Sequence, residues 1–341
     1  LSMSKKNSNV SLKNGFDGFK DLSDIFISFK NKLNSLKKDK YVVAVSGGPD
    51  SLALVALTKA YMFHRKAKFH YILVDHKIRK DSHQEAQKVK KLLKKNNINL
   101  KIFSNKKTII KNFQAEARDV RYEILTKYCK KNKVKIILTA HNLEDQVETF
   151  FIRLSRGSGL RGLSAMNVIR KIDRKVSLFR PLLDIKKKHL IKISKNTFGT
   201  FFKDPSNRNK KYLRTKVRNL KKPLENSGIK YEQIFKSIQN LSSSRTMIDR
   251  YLEKAFKNLI TKSNREILIN FHKFKNLSKY TKMALINESI KKLKNNYYDP
   301  RSKKVDNLIT NLDKKDFKKS TLGGCIFFKK GENLCLKVEK F

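Results

Sequence analysis

Tyr41-Val42-Val43-Ala44-Val45-Ser46-Gly47-Gly48-Pro49-Asp50-Ser51 decides the fold. Five apolar residues, three of them β-branched valines, suit a buried strand. The strand stops at Ser46-Gly47-Gly48, and Pro49 starts a helix, because proline is tolerated in a first turn. Working outward, Leu52 to Phe63 reads as that helix, Phe69 to Val74 as a second strand and Ser82 to Asn96 as a second helix. Ile98 to Phe103, Gln114 to Lys131, Val134 to Thr139 and Leu143 to Leu154 continue as strand, helix, strand, helix. That alternation predicts βαβ units and a doubly wound, mostly parallel sheet of α/β class.

On the N-terminal side, residues 1–38 read as a polar arm followed by a weakly amphipathic helix from Leu22 to Leu36, with Met3 as the natural start behind Leu1-Ser2. The α/β rhythm breaks near Arg156-Gly157-Ser158-Gly159, and a basic stretch punctuated by Pro181 and Pro205 follows. After Tyr212 the pattern turns helical over Val217 to Leu220, Tyr231 to Ile260 and Lys279 to Lys294. Cys325-Ile326-Phe327-Phe328 and Leu334 to Val338 flank Lys330-Gly331-Glu332-Asn333, a hairpin signal. The expected organisation is therefore an arm over 1–38, an α/β domain over 39–215, and a smaller, mainly helical basic region over 216–341 ending in a β-hairpin.

Charge bounds the partners. The chain carries 80 Lys plus Arg against 29 Asp plus Glu, a net +51. Part of this excess is a lysine-rich compositional bias, yet half of it would still leave a strongly positive surface suited to a polyanion, either nucleic acid or an anionic membrane. Such charge supplies affinity without sequence specificity. The three cysteines, Cys129, Cys325 and Cys335, are widely spaced with no CxxC, which argues against a disulfide framework, a zinc site and an iron–sulfur cluster and fits a reducing cytoplasm. No apolar run is long enough to span a membrane, and no secretory apolar core is seen at the N-terminus.

Between strand and helix, the two glycines of Ser46-Gly47-Gly48-Pro49-Asp50-Ser51 let the backbone turn tightly, and the helix aims its free amides and positive end at the same place. With two serine hydroxyls this makes a nest for phosphate or pyrophosphate. No Lys-Ser/Thr pair closes it, so it is not the GxxxxGK[ST] loop. Asp50 beside such a nest calls for a divalent cation between carboxylate and phosphate, magnesium by preference. The alternative is a plain helix cap.

This loop resembles that of the PP-loop ATP pyrophosphatases. Later segments narrow the resemblance to the lysidine-forming tRNA ligases among them: Val74-Asp75-His76-Lys77-Ile78-Arg79; Glu116-Ala117-Arg118-Asp119-Val120-Arg121-Tyr122; Thr139-Ala140-His141-Asn142-Leu143-Glu144-Asp145-Gln146-Val147-Glu148; Arg156-Gly157-Ser158-Gly159-Leu160-Arg161; Arg180-Pro181-Leu182-Leu183; Asp204-Pro205-Ser206-Asn207 and Tyr212-Leu213-Arg214. Asn142 and Glu144 stand where the family usually has a second His and a first Asp, and Thr215 replaces an Asn after Arg214.

The resemblance implies that ATP adenylates the wobble cytidine of a tRNA(Ile) with a CAU anticodon, and that the ε-amine of free L-lysine then displaces AMP. It places the nucleotide on Ser46, Gly47, Gly48, Pro49, Asp50 and Ser51, with Asp75 and His76 alongside. Arg118 and Arg121, three apart, share a helix face suited to clamping phosphate or base. His141, at the carboxyl edge of a strand, is placed to contact the α-phosphate or move a proton. Asp145 and Glu148 share its stripe: Asp145 to hold magnesium with Asp50, Glu148 to hold the lysine ammonium or accept its proton. Arg156 and Arg161 lie in a loop suited to tracking RNA or closing over the adenylate, and Arg214 to meeting tRNA or lysine. A monomer or a homodimer fits. Two competing readings remain: another PP-loop enzyme, either a tRNA thiolase or a small-molecule amidating synthetase, and a non-catalytic RNA-binding scaffold.

Overall fold

The computed structural model describes residues 20–77, 81–105, 113–202, 212–262, 266–294, 300, 302–314 and 316–339. Asp204 to Asn207, Ile78 and Arg79 lie outside the described residues. The chain forms two compact units that divide after Ser242.

The first unit opens with α1 (Lys20–Ser35), then β1 (Lys40–Val45), α2 (Pro49–His64), β2 (Lys68–Asp75), α3 (Ser82–Lys95), β3 (Leu100–Ser104), α4 (Phe113–Lys131), β4 (Ile136–Leu138) and α5 (Leu143–Leu154). It continues through the short α6 (Leu160–Leu163), β5 (Ile169–Lys171), β6 (Ser177–Phe179), α7 (Lys187–Phe198), α8 (Leu213–Asn219) and α9 (Lys221–Asn226). The long helix α10 (Tyr231–Leu259) contains the division.

Six strands form one sheet in the order β3-β2-β1-β4-β6-β5, parallel except for the β5–β6 pair. β1 is central and buried on both faces. Tyr41, Val43 and Val45 face the layer of α1, α2 and α7, whereas Val42 joins Leu125 and Cys129 of α4 on the other side. α1 buries Leu22, Ile25, Phe26, Phe29 and Leu33, an i, i+3, i+4, i+7, i+11 stripe. Each such fully buried side chain contributes about 1.5–3 kcal/mol. The sheet order reverses between β1 and β4, so the crevice beyond their carboxyl ends is where this fold receives ligands.

The doubly wound sheet agrees with the sequence. The basic stretch after Arg156 is more structured than expected: it holds β5, β6 and α7. β6 has three residues, too few for a period, and α7 buries Ser194 and Thr197 among Leu190, Ile193 and Phe198, which blurs its apolar stripe.

The second unit contains the C-terminal part of α10, then β7 (Ile260–Lys262), β8 (Glu266–Asn270), α11 (Phe271–Lys275), α12 (Lys279–Lys294), α13 (Ser302–Leu312), β9 (Lys319–Leu322), β10 (Cys325–Lys330) and β11 (Asn333–Val338). The expected hairpin is the β10–β11 pair, with Lys330 opposite Asn333. It sits inside a five-stranded antiparallel sheet, β7-β8-β11-β10-β9, rather than closing a helical region. β8 reads Glu-Ile-Leu-Ile-Asn, with Ile267 and Ile269 buried against Leu285, Ile286 and Leu336. Among the described residues no helix is long and apolar enough to cross a membrane.

Candidate active site at the carboxyl edge of the first sheet

β1 delivers its chain into the glycine turn. Gly47 has φ +82°, and a Cβ there would lie 2.5 Å from Val89 Cγ2 of α3, so both conformation and space demand glycine. The Gly47 carbonyl accepts from the Phe202 N–H at 3.0 Å. Ser51 ties the turn from within: its hydroxyl donates to the Gly48 carbonyl at 3.0 Å and accepts from the Ser46 N–H at 3.2 Å. Pro49 opens α2, and Gly48 gives it no side-chain cap. The first-turn amides of Asp50 and Ser51 therefore have no intrahelical acceptor and face the crevice.

Asp50 is a half-buried carboxylate whose pKa is raised to about 6, chiefly by burial. Lys187 and the Asn142 side chain oppose that rise, and Asp145 and Glu144 add to it. Its Oδ2 lies 3.8 Å from Lys187 Nζ, and its Oδ1 is buried without a hydrogen-bond partner among the described residues. An orphaned carboxylate oxygen beside a phosphate nest fits a hard divalent cation. The described residues hold no cluster of three or more His, Cys, Asp or Glu able to bind a metal unaided, so nucleotide phosphate oxygens would have to complete any such shell.

β4 ends at Leu138, and His141 follows it. Thr139 Oγ1 lies 2.9 Å from its Nδ1. Burial first, then the guanidinium groups of Arg180, Arg118, Arg214 and Arg121, hold the imidazole well below its ordinary pKa and keep it neutral. The charges of four arginines thus act on one imidazole, and such a positive field suits an anion. Arg180 is itself 2% exposed, its pKa lowered to about 10 by burial, and its Nη1 donates to the Asn167 carbonyl at 2.7 Å. Arg118 lies over the Tyr122 ring, and Arg121 Nη2 is 3.5 Å from His76 Nε2. Burial, then Arg121, lowers the His76 pKa to about 4. Neighbouring Asp75 is buried, with Oδ1 accepting from the Lys77 N–H at 2.9 Å.

Asn142 caps α5. Its side chain accepts from the Asp145 N–H at 2.9 Å, and Asp145 Oδ2 accepts from the Asn142 N–H at 3.1 Å, closing a reciprocal box. Asp145 Oδ1 accepts from Arg214 Nη2 at 3.0 Å. Both Asp145 oxygens are thus engaged, whereas Asp50 Oδ1 and Asp75 Oδ2 are buried without a hydrogen-bond partner among the described residues. Glu148 is 2% exposed and carries two arginines: Arg214 Nε at 2.7 Å, and Arg218 through Nε at 2.8 Å and Nη2 at 3.1 Å. Burial opposes the Arg214 charge, but Asp145 and Glu148 outweigh it and raise its pKa. Glu144 accepts from the Lys187 N–H at 2.9 Å and from Lys221 Nζ at 3.2 Å.

The structure thus brings Ser46 to Ser51, His141, Asp145, Glu148, Arg118, Arg121 and Arg214 to one edge. Arg156 is exposed on the turn after α5, and Arg161 is half-buried in α6. Tyr231 is core: it packs with Leu143, Val147 and Ile238. The sequence reading quoted Arg180 in a family segment without giving it a role, and passed over Arg218 and Lys187. Arg218 had a usable signal, four residues after Arg214 on one helix, whereas Lys187 sits unmarked in a run of three lysines.

A sheet that reverses at a glycine-rich phosphate nest, with an acid on the first turn beyond, defines a nucleotide-using α/β enzyme. Residues 22–224 match the PP-loop domain family, and the chain belongs to the PP-loop ATP pyrophosphatases, enzymes that use ATP. It is 32% identical over 320 residues to a tRNA(Ile)-lysidine synthase of Wolbachia pipientis wMel, covering 92% of this chain and 74% of that protein. It is 40% identical over 188 residues to the tRNA(Ile)-lysidine synthase of Orientia tsutsugamushi, covering 54% of this chain and 42% of that one. In fold it is similar to the U34-tRNA thiolase NcsA from Methanococcus maripaludis, solved with its 4Fe-4S cluster: TM-score 0.55, 19% identity, 64% of this chain and 79% of that one.

Proposed function

We propose that this protein is a lysidine-forming ligase. The cytidine O2 of a CAU-anticodon tRNA(Ile) attacks the α-phosphate of ATP and pyrophosphate leaves; the ε-amine of L-lysine then attacks the base at C2 and AMP leaves. The observation that carries the reading is the glycine turn with the unpartnered Asp50 Oδ1, at the same sheet edge as His141, whose pKa is held down by burial and by the charges of Arg180, Arg118, Arg214 and Arg121. Adenylation spreads negative charge over the α-phosphate, and preorganised cations in a partly desolvated edge stabilise it. The loop amides hold the departing pyrophosphate. Magnesium on the nucleotide would be held through Asp50 Oδ1, with Asp145 joining only by giving up Arg214 or its own cap, and would supply charge neutralisation at the phosphates. Glu148, paired with two arginines, is the group to receive the lysine ammonium, by exchanging one guanidinium for it. A chain of net charge +51 suits an RNA substrate, and an anticodon loop presents its base already unstacked.

The thiolase alternative asks for a reactive cysteine at this edge. Cys129 is fully buried under the sheet with its thiol pushed up to about 12, and Cys325 and Cys335 belong to the second unit. The test incubates the full chain with ATP, magnesium, labelled lysine and CAU-anticodon tRNA(Ile). Label transferred to RNA, with equal AMP released, is the expected result. AMP release with a small acceptor and no RNA would move the protein to the amidating synthetases.

A further inference from the structure

The glycine loop has no lysine of its own, and the fold brings one to it from a distant segment. Lys187 is the first residue of α7, and its Nζ stands 3.8 Å from Asp50 Oδ2, on the first turn beyond the loop. Two anchors fix that placement: α7 packs along α2, and the Lys187 backbone N–H donates to Glu144 Oε2 at 2.9 Å. Four of the other cations at this edge are held more firmly. Arg214 and Arg218 grip Asp145 and Glu148 at 2.7–3.1 Å, Lys221 reaches Glu144 at 3.2 Å, and Arg180 bonds a carbonyl at 2.7 Å. Among the described residues the Lys187 ammonium has only the longer contact, and its side chain is 37% exposed. A half-exposed pair of that length contributes at most about 1 kcal/mol, so a polyphosphate competes with it easily.

We infer that Lys187 is a phosphate-binding residue, whose ammonium leaves Asp50 to contact the β- or γ-phosphate of the nucleotide while Asp50 is freed for the cation. An ammonium is a compact point charge with donors only, so it suits a phosphate oxygen rather than the base. Its position 3.8 Å from the Asp50 carboxylate, on the first turn beyond the glycine loop, suits the pyrophosphate end of a nucleotide. Lys187 thus does in space what the closing lysine of a GxxxxGK[ST] loop does in sequence. The inference rests on the ATP-using reading of the site.

The test is equilibrium binding of ATP, inorganic pyrophosphate and adenosine to the full chain with magnesium, comparing the parent with K187M and K187R. K187M is expected to bind ATP and pyrophosphate about tenfold more weakly with adenosine unchanged, and K187R to stay within about threefold of the parent. Unchanged ATP and pyrophosphate affinity in K187M would overturn the assignment. So would weaker adenosine binding in K187M, or a K187R as impaired as K187M, since either result marks a packing role. A parent that bound neither ATP nor pyrophosphate would overturn the ATP-using reading as well. A parent that transferred lysine to tRNA alongside an unimpaired K187M would remove Lys187 alone.

Discussion

Arg218 forks onto Glu148, Nε at 2.8 Å from Oε1 and Nη2 at 3.1 Å from Oε2, and so fixes a carboxylate that is only 3% exposed. Arg214 occupies the same carboxylate from the other side at 2.7 Å. Breaking a buried pair by removing one partner costs about 3–5 kcal/mol. Glu148→Gln is therefore expected to lose about 3 kcal/mol in urea unfolding, because two guanidiniums then face a neutral amide. Arg218→Met should lose about 1 kcal/mol, since Arg218 is 35% exposed and Arg214 stays. A Glu148→Gln curve overlying the parent's would show that the pair contributes nothing.

Asp50 makes stability fall with rising pH. Its carboxyl pKa is raised from 3.8 to about 6, so between those values the native state holds a proton that the unfolded chain has released. The penalty is absent below pH 4, grows to about 3 kcal/mol at pH 6 and stays constant above. Asp50→Asn should thus raise the melting temperature at pH 8 but not at pH 4, while abolishing AMP release. Equal shifts at both pH values would rule out the burial penalty.

His141 acts in the opposite pH direction. Its pKa is depressed by burial and four arginines, so the unfolded chain takes up a proton that the native state refuses. Stability contributed by the neutral ring is present above the unfolded value, near 6.5, and declines as the pH falls below it. His141→Asn should flatten the acid side of the stability profile, and the imidazole resonances of the parent should still be those of the neutral ring at pH 6. A ring half-protonated at pH 6.5 would contradict the arginine cluster.

Gly47→Ala meets two penalties. The left-handed conformation costs a non-glycine residue about 1–2 kcal/mol, and the Val89 methyl group stands where the new Cβ would go. Adding Val89→Ala removes the clash and leaves the backbone strain. The double variant should recover part of the stability lost by Gly47→Ala while ATP binding stays weak. Full recovery would mean that φ at this position matters little.

Affinity for tRNA should fall linearly on a log–log plot against salt, with a slope set by the number of phosphates neutralised. Filter binding between 50 and about 200 mM salt measures it. A flat response would leave the charge of +51 without an RNA partner.

The sheet was legible because β1 and β2 hold apolar runs closed by turn residues, α2 is buried almost all round, and α3 keeps a clear apolar face. The loop was legible for the same reason: glycines, proline and acid stand in sequence where the turn needs them. Spacing also placed His141, Asp145 and Glu148 along the start of α5. The partners of those residues were not visible, because pairing is tertiary. Arg214 and Glu148 lie 66 residues apart and Lys187 and Asp50 further still, and no local pattern links them. β8 was missed for a different reason: its five alternating residues follow closely on a long helix whose period runs up to Ile260.

Asn142 is half of a clasp whose other half is Asp145. The same acid that holds Arg214 at the sheet edge also fastens the first turn of its own helix. Exchanging Asp145 would therefore loosen the scaffold and the reactive edge together, whereas exchanging Asp50 relieves an electrostatic burden. Two variants equally silent in a turnover assay would have failed for opposite reasons, and a melting curve would tell them apart.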